Sequence, residues 1–108
     1  MFGIPLKRRA TEPDDNDMAI AKLTLALSRL RSAAEVQAFL SDLCTPAELE
    51  AMADRWKVVP LLLEGVPYRE IHDQTQVSVT TIGRVARTLD RGAGGYAAAV
   101  RRQRRQAR

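Results

Sequence analysis

The residues with the clearest chemical meaning lie in one predicted helix near the C-terminal end of the chain. Five of its residues could meet a ligand: Thr80, Gly83, Arg84, Arg87 and Arg91. A guanidinium group stays charged and donates hydrogen bonds in a planar fork, which suits phosphate oxygens and the edge of guanine. Because Asp90 is the only acid of this helix, the helix indicates an anionic partner.

The composition does not favour metal binding or catalysis. Cys44 is the only cysteine and His72 the only histidine, which excludes an intrachain disulfide and leaves too few ligands for zinc. A Cys/His or Ser/His/Asp catalytic arrangement would have to use His72. Asp14, Asp15 and Asp17 are close together, but neither glycine nor glutamate follows at the spacing of a calcium loop. The sequence therefore predicts no metal site, no catalytic residue and no enzyme.

The arginine-bearing helix is the second of two helices predicted between residues 68 and 90. Its apolar residues recur at spacings of three and four, which is a helical period: Val79, Ile82, Val85, Ala86 and Leu89. Ser78 can cap this helix, and Val77 can act as a hydrophobic staple before the cap. A first helix of about eight residues, a short turn and a second crossing helix form a helix-turn-helix, which places its second helix in the DNA major groove.

Two residues of the predicted turn depart from the usual helix-turn-helix pattern. This class generally has a small residue at the position of His72 and glycine at the position of Gln76, where the turn needs a positive φ. A side chain at Gln76 would cost about 1 kcal/mol. The alternative interpretation is an antiparallel helical hairpin within a bundle. The arginines of the second helix favour the helix-turn-helix.

The N-terminal part of the chain predicts an irregular arm and two short helices. Residues 1–17 contain prolines and charges without periodicity, so we expect a disordered arm. Asp17 is predicted to cap a helix from Met18 to Arg31, and Ser32 a helix from Ala33 to Leu43. Two helices this short cannot each bury an apolar face alone, which favours packing against a partner subunit as well as against the rest of the chain.

The third helix has the clearest start signal in the sequence. Thr45 can cap it, Pro46 suits its first position and Glu48 completes a capping box. Gly65 is predicted to end it. Pro60 removes an amide hydrogen and predicts a kink. The apolar stripe predicted to face the core contains Leu49, Met52, Ala53, Trp56, Val59 and Leu63.

Positive charge is concentrated at the C-terminal end. Residues 84–108 hold eight arginines and one acid, for a net charge of +7, whereas residues 1–83 hold nine basic and twelve acidic residues, for −3. A last helix from Tyr96 is expected to dock through Tyr96 and Val100 and to lead into the arginine-rich tail, residues 101–108. A phosphate backbone is the favoured partner of such a charge distribution, and an anionic membrane surface is the second candidate.

Membrane association is weakly supported by the sequence. The segment from Tyr96 to Arg108 offers few apolar side chains for insertion, only Tyr96, three alanines and Val100. No run approaches the length of a transmembrane helix, and the N-terminus has no signal-peptide hydrophobic region. We expect a cytoplasmic protein.

Five segments follow one another in an order that is more specific than a lone helix-turn-helix. They are CTPAELEAMADR at 44–55, LLLEG at 61–65, YREI at 68–71, TTIGRV at 80–85 and GGY at 94–96. In this order the chain resembles the Trp repressor superfamily, and most of all its YerC/YecD branch. The resemblance implies an all-α, Trp-repressor-like helical domain over residues 18–100, an intertwined homodimer and a DNA-binding transcriptional regulator.

The resemblance also suggests a ligand slot. In the Trp repressor itself the corepressor indole lies between two arginines, and Arg55 and Arg84 match those positions. Guanidinium planes stack well on aromatic rings. The glycine that follows the second arginine is Val85 here, however, and its isopropyl group would occupy space that the indole needs. We therefore expect no cofactor, and a structural or phosphate-contacting role for both arginines.

The resulting hypothesis is a homodimeric repressor that binds double-stranded DNA sequence-specifically. The candidate DNA contacts are Arg69, Val79, Thr80, Thr81, Gly83, Arg84, Arg87 and Arg91. One alternative is a helical protein-interaction adaptor whose arginine-rich tail binds an acidic partner. The other is a ligand-responsive repressor that uses the slot between Arg55 and Arg84.

Overall fold

The computed structural model describes the backbone of residues 13–107 and the side chains of residues 15–106. These residues form six helices: α1 (Pro13–Ser28), α2 (Ala33–Leu43), α3 (Pro46–Leu63), α4 (Tyr68–Thr75), α5 (Val79–Arg91) and α6 (Gly95–Ala107). No strand occurs in this part of the chain, and the all-α prediction is confirmed. The chain divides into two compact units with a boundary between Leu43 and Cys44.

Helix α1 of the first unit differs from its predicted bounds. It begins at Pro13 instead of Met18 and ends at Ser28 instead of Arg31. Proline suits the first position of a helix, and an acid in the first turn, such as Asp15, interacts favourably with the positive end of the helix dipole. Asp17 therefore lies inside α1 and does not cap it. Of the predicted disordered arm, residues 13–17 are helical and residues 1–12 lie outside the described range.

Helix α2 has the bounds that the sequence predicts. The Ser32 hydroxyl accepts a hydrogen bond from the amide of Glu35 at 3.1 Å. The carboxylate of Glu35 accepts one from the amide of Arg31 at 2.7 Å. These two bonds satisfy amides that have no partner within the helix, and they explain why α2 begins where it does.

The first unit leaves much of its apolar surface uncovered. No residue of α2 is buried, and several large apolar side chains of α1 and α2 are exposed: Met18, Ile20, Leu23, Leu25 and Leu43. Val36, Phe39 and Leu40 reach only intermediate burial. Two helices of this length cannot stabilise each other through so little buried area.

Helix α3 organises the second unit, and both of its ends follow local signals. The Thr45 hydroxyl accepts from the amide of Glu48 at 3.1 Å, and the Glu48 carboxylate accepts from the amide of Thr45 at 2.7 Å. This is the predicted capping box. At the other end Gly65 has a φ of +81°, and the amides of Gly65 and Val66 donate to the carbonyls of Leu62 and Leu61. This pair of bonds is a Schellman motif, which needs a residue that tolerates positive φ.

The helix assignment of α3 is continuous through Pro60, and the kink stays a prediction. The predicted stripe is partly wrong. Val58, which it omits, is fully buried beside Val59, whereas Met52 and Leu63 are 38% and 44% exposed. The reason is that α3 packs against α4, α5 and α6, so two adjacent side chains, about 100° apart around a helix axis, can both be covered.

The core of the second unit contains seven residues: Val58, Val59, Ile71, Val77, Ile82, Val85 and Val100. Trp56 and Tyr96 pack against this cluster, with ring centroids 6.5 Å apart. The prediction that Trp56 anchors the core is confirmed. Tyr96 and Val100 also dock α6 as predicted.

The capping box of α3 predicts a measurable stability difference. Thr45→Ala removes the hydroxyl that accepts from the Glu48 amide and should lower the free energy of unfolding by about 1 kcal/mol. Thr45→Ser keeps the hydroxyl and should remain within a few tenths of a kcal/mol of the wild type. Urea denaturation followed by circular dichroism measures both, and an equal loss in the two variants would contradict the assigned hydrogen bond.

Candidate nucleic-acid interface

The turn between α4 and α5 has the backbone that a helix-turn-helix requires. Gln76 ends α4 with φ +66° and ψ 11°, in the left-handed region, as predicted from its place in the pattern. Its backbone amide donates to the carbonyl of His72 at 2.8 Å, and its side-chain amide donates to the carbonyl of Asp73 at 3.1 Å. Local hydrogen bonding therefore offsets part of the strain of a non-glycine residue.

Val77 is buried in this turn, and side chains satisfy its backbone. Val77 is 5% exposed. The Nδ1–H group of His72 donates to its carbonyl at 2.8 Å, while the Thr75 hydroxyl accepts from its amide at 3.1 Å and donates to the carbonyl of Ile71 at 2.7 Å. A small residue at position 72 could not reach that carbonyl. The histidine at position 72, where the usual pattern has a small residue, thus supplies a hydrogen bond that the turn uses.

Ser78 caps helix α5, as predicted. Its hydroxyl accepts from the amide of Thr81 at 3.1 Å and donates to the hydroxyl of Thr81 at 3.0 Å. The helix begins at Val79, so the amides of Val79 and Thr80 remain at its positive end. The Thr81 hydroxyl, a predicted DNA contact, is occupied by the cap.

Helix α5 separates a buried face from an exposed basic face. Ile82 and Val85 are buried, at 0% and 1% exposure. Most of the predicted contacts are exposed: Arg69 on α4, and Val79, Thr80, Arg84, Arg87 and Arg91 on α5. Gly83 and Thr81 are half-buried. The prediction that Val79 lies on the apolar core face is wrong, since it is 52% exposed; Val77 enters the core ahead of it.

Three arginines of this face line one open cleft. Its volume is about 230 Å³, and its walls are Arg84, Arg87, Thr88, Arg91 and Gly92. Asp90 forms an ion pair with Arg91, with 3.4 Å between Nε and Oδ2, but both side chains are at least 75% exposed. Among the side chains of residues 15–106, no carboxylate pairs with Arg84 or Arg87. These two guanidinium groups can bind an external anion without breaking an ion pair.

Two wall residues, Thr88 and Gly92, are not among the predicted contacts. Thr88 lies four residues after Arg84, so helical spacing places it on the same side. Its hydroxyl donates to the carbonyl of Arg84 at 3.1 Å. This pattern could have identified it from the sequence.

A second basic surface lies on α6. Four arginines are exposed there: Arg101, Arg102, Arg104 and Arg105. Residues 101–107 were predicted as a separate tail, but they continue α6 from its docked part without a break. Val100, 6% exposed, anchors the helix immediately before them. The four arginines therefore belong to a regular helix.

The two arginines of the predicted ligand slot lie on different helices. Arg55 is half-buried on α3, and Arg84 is exposed on α5. The cleft lined by Arg84 does not include Arg55. Val85 lies in the core at 1% exposure, so its isopropyl group is already packed against other side chains.

The described part of the chain contains neither a metal-binding cluster nor a membrane-spanning helix. No group of three or more His, Cys, Asp or Glu side chains there is arranged to hold a metal ion. Cys44 is a free thiol of intermediate burial, with its Sγ 3.9 Å from the Sδ of Met52. Within the same residues, no helix has the length and apolar character needed to cross a bilayer.

Comparison with known proteins gives a consistent picture. The sequence pattern of the family described as Trp repressor protein matches residues 19–104. The uncharacterized protein YerC of Bacillus subtilis strain 168 is 38% identical over 73 residues, which are 68% of this chain and 70% of YerC.

Two solved structures share the fold. A candidate Trp repressor from Staphylococcus aureus superposes with a TM-score of 0.75 at 30% identity, over 81% of this chain and 87% of that one. A TrpR-like protein from Eubacterium eligens superposes with a TM-score of 0.74 at 32% identity, over 80% and 89% of the two chains.

The bond from His72 to Val77 can be tested by substitution. His72→Ala leaves the Val77 carbonyl without its partner and should lower the free energy of unfolding by about 1 kcal/mol. His72→Asn places an amide N–H near the position of Nδ1 and should recover most of that loss. Denaturant titration measures both variants. If asparagine were no better than alanine, packing of the imidazole ring would be the main contribution.

Proposed function

Because this chain belongs to the Trp repressor family, we propose that it acts in the cytoplasm as a sequence-specific DNA-binding transcriptional regulator, in the form of a homodimeric repressor. The observation that supports this most directly is the exposed face of α5. There Arg84 and Arg87 have no carboxylate partner among the described side chains, and a capped turn built on a buried core holds the helix. A rigid, positively charged helix face fits the major groove of DNA.

The contacts divide into two classes in this proposal. Thr80 and Arg84 near the start of α5 face base edges, where a guanidinium group binds guanine through O6 and N7. Phosphates are bound by Arg69, Arg87 and Arg91, by the exposed arginines of α6, and by the free amides at the start of α5. The first class selects sequence, and the second contributes affinity that falls with salt.

The homodimer is supported by the uncovered apolar faces of α1 and α2. A second copy of the chain has the same exposed leucine, isoleucine and methionine side chains, so a two-fold axis would pair equal surfaces. In such a dimer two recognition helices would enter successive major grooves about 34 Å apart. The operator is then expected to be palindromic.

The proposal includes no corepressor. Val85 is packed in the core, and Arg55 is not part of the cleft beside Arg84. A ligand that binds the native protein raises its melting temperature in proportion to occupancy. A panel of amino acids, including tryptophan, should leave the melting temperature unchanged.

Selection from random DNA tests the function directly. The purified protein is incubated with a pool of random duplexes at two salt concentrations, and the bound fraction is sequenced. We expect an enriched palindrome and a steep fall of affinity with salt. Salt-sensitive binding without an enriched sequence would leave a nonspecific DNA-binding protein. Absence of binding would favour a protein-interaction adaptor whose arginine-rich tail binds an acidic partner.

Substitution of two arginines tests the division of contacts. Arg84→Ala should weaken the free energy of binding to the selected duplex by about 1–3 kcal/mol and relax the sequence preference at one base pair. Arg102→Ala should weaken binding to selected and random duplexes alike. It should also reduce the slope of log affinity against log salt concentration by about 1. Affinities at several salt concentrations measure both effects. Equal loss on selected and random DNA in both variants would contradict the assignment of Arg84 to a base.

A further inference from the structure

The exposed face of α5 has a gap at Gly83 that the fold of this chain does not require. Gly83 lies inside the helix, and its φ is not positive. A Cβ built at Gly83 would meet only the Arg87 side chain, with Nη1 3.6 Å away, which is an ordinary contact. Glycine is less favourable than alanine in the interior of a helix. The glycine therefore lowers helix stability without relieving any contact within the chain, which points to a contact outside it.

Val79 stands one helical turn before this gap. Residues four apart are neighbours on one side of a helix, and the isopropyl group of Val79 is 52% exposed. The exposed face of α5 thus presents an apolar group next to a space that only the Arg87 side chain borders. Thr80 and Arg84 beside them carry hydrogen-bonding groups. Neither Val79 nor Gly83 has a side chain that could bind a base by hydrogen bonding.

We propose that Val79 and Gly83 form a thymine notch, in which a 5-methyl group packs against the Val79 side chain and the edge of the base enters the space at Gly83. Among the base edges in the major groove, only thymine presents an apolar group. Arg84 and Thr80 read neighbouring positions by hydrogen bonds, while the notch selects an A·T pair by shape and apolar contact. This inference rests on the proposed function and assigns the chemical group that the apolar part of the site takes.

The occupant of the notch can be identified by removing one methyl group from the DNA. Duplexes selected by the wild-type protein are remade with deoxyuridine in place of each thymidine, one position at a time. The base pairing is unchanged, and only the 5-methyl group is lost. One position in each half-site should lose affinity by about three- to tenfold.

Two protein variants connect that loss to the notch. In Val79→Ala the same deoxyuridine substitution should have little further effect. Gly83→Ala should raise the melting temperature by a few degrees and weaken binding to the selected duplex by about tenfold or more, because the new methyl group fills the space that the base needs. Gly95→Ala is the matched control, since a Cβ at Gly95 would meet no atom within 4 Å and Gly95 lies at the start of α6. It should not change affinity for DNA.

The outcomes separate this inference from the proposed function. Enrichment of a sequence whose affinity does not depend on any thymine methyl group would support the regulator and overturn the notch. A Gly83→Ala variant that is more stable and binds the selected duplex as tightly as the wild type would also overturn the notch. If the wild-type protein enriched no sequence, both the proposed function and the notch would be wrong.

Discussion

The burial of Val77 in the turn between α4 and α5 is the constraint on which the candidate interface depends. A buried valine in a turn carries two backbone polar groups into the core, and each would cost about 1–3 kcal/mol if unbonded. The ring of His72 and the hydroxyl of Thr75 bond these groups. Gln76 adopts a left-handed conformation so that the chain reverses direction at this point. Each of these features fixes where α5 begins, and therefore which of its residues face outwards.

In the second unit the charged residues lie on the surface and apolar residues form the core. Its seven-residue core consists of isoleucine and valine, and no polar or charged residue is buried among the described residues. The arginines of α5 and α6 lie on the opposite, exposed surfaces. Exposed ion pairs such as Asp90–Arg91 contribute little to stability, so these arginines are not needed to hold the fold. Clustered positive charges attract anions, which agrees with the proposed binding of DNA.

The two units differ in what they can do alone. The second unit has a closed core of seven buried residues. The helices of the first unit expose large apolar side chains, with Met18 and Ile20 more than half exposed. A protein that kept such a surface in water would aggregate or bind a partner. Family membership and this exposed surface lead to the same dimeric proposal from independent observations.

The sequence by itself determined the number and type of helices and most of their ends. The capping box of Thr45 and Glu48, the cap at Ser78 and the stop at Gly65 depend on residues within one helical turn, so spacing alone predicts them. The basic residues of the candidate interface were also identified, because helical spacing places Arg84 and Arg87 opposite the buried Ile82 and Val85. Recognition of the family relied on the order of these local patterns.

Tertiary structure decided which apolar residues are buried and what the unusual residues of the turn do. Val58 is buried and Val79 exposed, against the simple stripe pattern, because burial depends on which neighbouring helices cover each side of α3 and α5. The bond from His72 to the carbonyl of Val77 depends on the left-handed backbone of Gln76 and on the burial of Val77 in the core. A periodic pattern describes one helix, whereas these outcomes depend on contacts between residues brought together by the packing of several helices, and the sequence pattern carries no direct signal of those contacts.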